Sequence, residues 1–372
     1  MLERPWYQSL NYPLLAAAIA LSVFGLIVIK SAALHIPGGR SDFTHQLAFL
    51  IVGAALMLAF AFVDYHLWQR LAWPLYLLNI LMLGAVAVAG HQALGAQRWI
   101  GIGPFVFQPS EPAKLFMILS LAAILASPKR SYQHIWEMWL PIAAVVVPAA
   151  LVMKQPDLGT ALVLMAILTV MLFFALPKIL HFAAYAVTVT LGGFIAVATP
   201  YFLKGYQRQR LLVFLDPKHD PQGAGWSLIQ SKIAVGSGSL AGKGLYQGTQ
   251  TQLGFVPEHA TDFIFSVIGE ELGFLGALAL LGLYALLLGS AMFAVTAARD
   301  KYGLLVAVGI IAMFTFHMLV NIGMTIGIMP VTGIPLPFIS YGGSSLITSL
   351  MAVGILLNIH LQRDKMSFSE SG

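Results

Sequence analysis

Residues 258–296 read EHATDFIFSVIGEELGFLGALALLGLYALLLGSAMFAVT. The stretch leaves a polar loop at Asp262, and from there on only Glu270 and Glu271 carry charge. An apolar run of this length exceeds the ~20 residues that cross a bilayer. It makes the chain an all-α integral membrane protein, because backbone polar groups in lipid must be satisfied within the segment. The ~10-residue alternating segments of a closed barrel are absent. Four of the fifteen Asp and Glu side chains, Glu258, Asp262, Glu270 and Glu271, sit where water gives way to lipid. Their placement asks for a chemical reason.

Composition agrees. Of 372 residues, 59% are hydrophobic and only 9% charged, against about 25% charged in a soluble domain. Ten spans are expected, at roughly 12–34, 45–63, 73–90, 111–127, 138–154, 159–176, 179–203, 262–296, 303–329 and 340–361. The eighth is too long to stand perpendicular, so it tilts or extends beyond the bilayer. The first is a retained span rather than a cleaved signal. Residues 1–372 form one polytopic domain, with one long extracytoplasmic loop, 204–261, between helices 7 and 8. Cysteine is absent, which removes disulfides, thiolate metal sites and a cysteine nucleophile. A net charge of +5 is too small and dispersed for nucleic acid.

Ten spans put both termini on one side. That side carries nine Lys and Arg (Arg4, Arg70, Lys129, Arg130, Lys178, Arg299, Lys301, Arg363 and Lys365), against Arg40, Arg98 and Lys154 in the short loops opposite. The positive-inside rule makes the nine-residue side cytoplasmic. Six more cations in the long loop bring the count level, so charge supports this orientation only in part.

The loop opens with Lys204, Arg208 and Arg210. Lys204 and Arg208 would share a helix face. The group suits a phosphate or a basic stripe reaching for headgroups. Asp216, His219 and Asp220 fit turn-forming better than metal binding. Residues 227–238 read as a short amphipathic helix at the interface. The glycine-rich 236–254 is not a P-loop, since Ser237 stands where its first glycine belongs and Gly244 follows Lys243.

Intramembrane ionisable groups are candidate functional sites because desolvation is costly. Glu111 and Lys114 are three apart and can pair on one helical face. They serve an anionic substrate or form a structural ion pair. Asp157 caps span six or borders a site, on the same side as Arg98 and Glu111. Asp262 stands at the water boundary. A buried carboxyl with a raised pKa suits proton transfer, but Glu270, two turns deeper, and Glu271 are better placed to bind each other's neighbours inside the bundle. His317 reads as a hydrogen-bonded core residue. Residues 330–346, PVTGIPLPFISYGGSSL, break the helix and either pack closely or wall a cavity.

Six segments carry a resemblance: AQRWIGIGPFVFQPSEPAKL, QPDLGTAL, YQRQRLLVFLDPKHDPQGAGW, SKIAVGSGSLAGKG, GTQTQLGFVPEHATDFIFSVIGEELG and GIPLPFISYGGSS. Through them the chain resembles the SEDS family of shape, elongation, division and sporulation proteins. GTQTQLGFVPE and GIPLPF lean toward its elongation branch. One departure is Ala260, where those relatives commonly have His before Thr-Asp.

The resemblance implies ten helices with cytoplasmic termini in the bacterial inner membrane. It implies a peptidoglycan glycosyltransferase that polymerises lipid II at the outer face of that membrane. The family's essential Asp falls on Asp262, its paired Glu and Lys on Glu111 and Lys114, and its QPDLG Asp on Asp157. Asp262 is then the general base toward the acceptor 4-hydroxyl, or a metal ligand. Lys114, Arg208, Arg210 and Arg98 are substrate-binding candidates. A divalent cation, Mg or Mn, on the pyrophosphate is the candidate cofactor, with no site legible and no organic cofactor implied. A class B penicillin-binding protein, other elongation proteins and membrane lipid are the implied partners. Flipping a lipid-linked precursor is the competing reading, and a scaffold for the crosslinking partner a third.

Overall fold

The computed structural model describes residues 9–34, 39–89, 91–93, 96–102, 105–199, 205–221 and 223–364. Arg4, Lys204 and Lys365, counted above, lie outside them. Fifteen α-helices and three short strands follow in chain order among the described residues. The first half holds α1 (Tyr12–Ala32), α2 (Gly39–Phe62), α3 (Tyr65–Arg70) and α4 (Ala72–Ala89). An antiparallel sheet comes next, made of β1 (His91–Ala93), β2 (Ala96–Ile102) and β3 (Phe105–Phe107). Then come α5 (Ser110–Leu125), α6 (Trp139–Lys154), α7 (Leu158–Ala175) and α8 (Ile179–Ala198). The long connection contains α9 (Gly205–Leu215), α10 (Ala224–Ser237) and α11 (Thr249–Gln252). The chain closes with α12 (Ile264–Glu271), α13 (Gly273–Ala297), α14 (Lys301–Ile326) and α15 (Gly343–Leu361).

Eight helical stretches among the described residues are long and apolar enough to cross a membrane: α1, α2, α6 together with the helical turn Ile135–Met138 that leads into it, α7, α8, α13, α14 and α15. The expected fourth span, α5, is shorter. The 16 residues of α5 rise only ~24 Å, below the ~30 Å hydrocarbon core. Fourteen of them are buried, so α5 packs against protein instead of matching the lipid. At the other extreme, α13 buries Leu280, Tyr284, Leu287, Ala291 and Ala294 at helical spacing and exposes Phe274, Leu275, Leu278 and Leu281. Both faces are apolar because one meets protein and the other meets lipid.

The expected eighth span is two helices. The chain breaks between Glu271 and Gly273. Gly273 has φ +64, and a Cβ there would lie 2.3 Å from the Gly242 nitrogen. Only glycine fits this backbone conformation and this close approach. Phe274 N–H and Leu275 N–H donate to the carbonyls of Ser239 and Leu240, so the loop replaces the helical partners lost at the break. The 227–238 helix is present as α10. It packs into protein, burying Leu228, Ser231 and Ala234, with the Ser231 hydroxyl donating to the Thr325 carbonyl at 2.9 Å.

Polar contacts mark two ends of the bundle. At one, Tyr65 donates its hydroxyl to Asp300 at 2.7 Å and its N–H to the Asn358 side-chain oxygen, while Lys301 donates to the Ala175 carbonyl. At the other lie the β-sheet, the long connection and residues 330–342.

Candidate active site

The second end contains a cavity of about 540 Å³ walled by Arg98, Glu111, Arg210, Glu258, Asp262 and Tyr341, among others. It lies between α5, α9, the β2 strand, the turn before α12 and the non-helical 330–342 segment. That segment is therefore a cavity wall, one of the two readings open for it.

Main-chain bonds fix the turn that carries Asp262. Asn321 of α14 donates its side-chain amide to the Asp262 carbonyl at 2.8 Å and to the Ile334 carbonyl at 2.7 Å. The Ser340 hydroxyl donates to the Thr261 carbonyl at 2.6 Å, and Tyr341 N–H to the Ala260 carbonyl at 2.9 Å. The carboxylate itself faces the cavity beside Gly333, whose φ is +74. Burial pushes the Asp262 carboxyl up to about 6, and the Glu258 carboxylate adds to this, against the pull of Arg210 and Arg98. A group that exchanges its proton near neutral pH is suited to general base work.

Two guanidinium groups face the same space. Arg210 Nη1 donates to the Thr332 carbonyl at 2.8 Å. Burial, then the neighbouring Arg98 charge, lowers the Arg210 pKa from its ordinary value. Arg98 donates to the Gln155 carbonyl at 3.1 Å and to the Pro156 carbonyl, and lies 4.0 Å from Asp157. Asp157 caps α7: its carboxylate accepts from Thr160 N–H at 3.1 Å and from the Thr160 hydroxyl at 2.9 Å. It does both things the sequence left open, capping a helix and steadying a cavity arginine.

Glu111 and Lys114 pair at 2.8 Å as their spacing implies. Glu111 borders the cavity, but Lys114 stands behind it with 1% exposure and does not line it. Its ammonium instead meets His317 Nε2 at 3.0 Å, and His317 Nδ1 lies 2.9 Å from the Pro335 carbonyl. The expectation that Lys114 would touch substrate is thus corrected to a buried contact that supports Glu111 and the 330–342 wall. Nor does Arg208 reach the cavity. It is exposed, because two residues along a helix turn the side chain through about 200° and Arg210 holds the inner face.

Glu270 and Glu271 bind neighbouring groups inside the bundle, as their depth in the segment implies. Glu270 accepts from Lys243 Nζ at 2.7 Å, Gln250 N–H at 2.8 Å, Thr251 N–H at 3.0 Å and the Thr251 hydroxyl at 2.9 Å. Burial opposes ionisation, yet these donors hold its carboxyl below the usual range. Glu271 accepts from Ser31, Gln252 and Tyr246 N–H. Together they fasten the glycine-rich loop to α12 and α1. Asp216 accepts from Lys218 N–H, and Asp220 from Ala224 N–H, as turn-formers do.

Tyr341 and Glu258, which line the cavity, and Asn321, buried behind it, are not among the site residues expected from the sequence. Asn321 had a signal: it lies four residues after His317, on one face of an apolar helix. Among the described residues no group of three His, Asp or Glu converges as a metal site. Glu258 and Asp262 are hard oxygen donors of the type Mg or Mn accepts, so a cation here would be shared with substrate oxygens and water.

Comparison with known proteins places this arrangement. The cell cycle protein family model FTSW_RODA_SPOVE matches residues 12–365. The peptidoglycan glycosyltransferase MrdB of Escherichia coli K12 is 38% identical over 360 residues, 97% of this chain and 96% of that one. The probable peptidoglycan glycosyltransferase FtsW of Trichlorobacter lovleyi is 38% identical over 357 residues, 93% and 92% of the two chains. A chain solved in a peptidoglycan synthase complex that coordinates polymerization and crosslinking superposes with TM-score 0.83 at 34% identity, covering 96% and 99%. The rod shape determining protein RodA of Thermus thermophilus gives 0.71 at 30% identity, covering 97% and 99%.

Proposed function

The chain belongs to the FtsW, RodA and SpoVE family of cell cycle proteins, and we propose that its Asp262 cavity is where glycan strands are polymerised. It is a multi-pass membrane protein and a peptidoglycan glycosyltransferase, like the relatives it matches along nearly its whole length. The substrate of the proposal is lipid II, worked at the outer face of the inner membrane with both termini cytoplasmic.

One observation carries the mechanism. A carboxyl poised near 6 faces a polar cavity whose wall holds two arginines, at the end of an otherwise apolar bundle. Lipid II keeps its tail in lipid and its sugars and pyrophosphate at the surface, so its chemistry falls where loop meets span. Asp262 takes the proton from the acceptor sugar's 4-hydroxyl. That oxygen attacks the donor's anomeric carbon with inversion, and undecaprenyl pyrophosphate leaves. Arg210 and Arg98 stabilise the charge that develops on the leaving group. Lys114 and His317 keep Glu111 and the Pro335 carbonyl in place. A divalent cation, when bound, would add further charge stabilisation at the pyrophosphate.

The elongation role rests on GTQTQLGFVPE and GIPLPF, since FtsW and MrdB relatives are equally similar overall. A class B penicillin-binding protein is the proposed partner, in keeping with the complex that holds a structural neighbour.

The test is polymerisation of purified lipid II with the partner's transpeptidase blocked. Asp262→Asn keeps size and removes the base, and should lower the rate by ~10²–10⁴-fold. An undiminished rate would overturn the mechanism and make Glu111 or Asp157 the next candidate, whereas no polymer from wild type would leave precursor transport and scaffolding standing.

A further inference from the structure

A second cavity opens at the opposite end of the bundle from the proposed active site. It has a volume of about 620 Å³ and lies between the starts of α4 and α6 and the far end of α5. Three features mark it as a built site. Lys129 and Arg130 line it, and among the described residues neither side chain makes a hydrogen bond or salt bridge. Glu137 lines it as well, and its Oε2 is buried without a hydrogen-bond partner. A buried carboxylate oxygen left without a donor is costly, so something outside the chain is expected to supply one. Third, Trp73, Trp136 and Trp139 ring the opening with 61%, 67% and 60% exposure. Tryptophan so placed belongs at the headgroup level of a bilayer.

From these groups we infer that the cavity is a phospholipid headgroup site selective for an aminophospholipid, phosphatidylethanolamine. Basic pockets between transmembrane helices bind lipid phosphates, and Lys129 and Arg130 supply that half. The ethanolamine ammonium supplies the other half: it pairs with the Glu137 carboxylate that lines the cavity in a charge-assisted hydrogen bond. The acyl chains run out past the tryptophans along the lipid-facing flanks of α4 and α6, where Leu77, Leu81, Val146 and Val147 are exposed. A purely anionic lipid satisfies the cations but meets a repelling carboxylate. A choline headgroup carries the positive charge with no N–H to give.

The inference is independent of the Asp262 mechanism, and its test does not use activity. The full-length protein, delipidated in detergent, is titrated with dioleoyl phosphatidylethanolamine, phosphatidylcholine or phosphatidylglycerol, and retained lipid is counted by native mass spectrometry. Wild type should retain the ethanolamine lipid about tenfold more tightly than either other lipid, the order of one charge-assisted hydrogen bond. Glu137→Gln should erase the preference over phosphatidylglycerol, and Lys129→Ala with Arg130→Ala should weaken all three. The wild-type comparison of ethanolamine with choline needs no variant, so it stands even if Glu137→Gln fails to fold. Equal retention of those two lipids by wild type would overturn the proposal, as would a preference for phosphatidylglycerol. No retention of any lipid would also overturn it and turn attention to a protein partner at this face.

Discussion

Asp262 and Glu270 lie eight residues apart in one segment, and the structure treats them in opposite ways. Glu270 is wrapped by donors from Lys243, Gln250 and Thr251, and its carboxyl falls below the usual range. Asp262 is desolvated, stands beside another carboxylate, and rises to about 6. Burial raises both. The number of hydrogen-bond donors decides the sign, because each one favours the charged form. One carboxylate is spent on holding a loop, and the other is left free to move a proton.

Amidating each residue in turn should break the pair apart. In lipid II polymerisation, Asp262→Asn should lose the ~10²–10⁴-fold stated above, while Glu270→Gln should stay within about tenfold of wild type at a temperature where both are folded. Comparable losses would show that the two carboxyls are not separate in role.

Thermal melting in detergent should reverse the order. Glu270→Gln removes a charge held by several donors and should cost ~1–3 kcal/mol. The sign follows from the lowered folded pKa: its stabilisation is present above the unfolded value and lost as pH falls through the folded one. Asp262→Asn should instead leave stability unchanged or raise it by ~1 kcal/mol at pH 7, because a raised carboxyl pKa penalises the ionised folded state. A large loss from Asp262→Asn would mean its charge supports the turn.

The pH profile sharpens the comparison further. Since the ionised form of Asp262 is the base, polymerisation should rise with pH, with a midpoint for kcat/KM at about 6. The smallest expected effect is that of Arg210→Gln, which removes a cation that favours the carboxylate and should move the midpoint upward. An unchanged midpoint would place Arg210 on the leaving group alone.

Much of this was legible in the sequence for local reasons. Apolar length gave the membrane class, i to i+3 spacing gave the Glu111–Lys114 pair, and a polar residue before a helix gave the Asp157 cap. The resemblance, not the pattern, pointed to Asp262. What stayed hidden was long-range. The break at Gly273 is masked because the run is apolar on both sides of it, and the loop that replaces its hydrogen bonds arrives from residues 239–244. Nothing near Glu270 announces Lys243 and Thr251. Arg208 and Arg210 are equivalent in composition, and only the packing of α9 says which one faces inward.

The frame around Asp262 is drawn from carbonyls, which every residue type possesses. Ala260 joins the wall through its carbonyl, accepting from Tyr341 N–H, and its methyl group adds no hydrogen bond. The side chain at 260 can therefore change in identity without moving the carboxylate. Asn321 is the opposite case: its one amide group bridges two carbonyls, from Asp262 and Ile334. The turn should thus absorb substitution at 260 and resist it at 321, some sixty residues away in the chain.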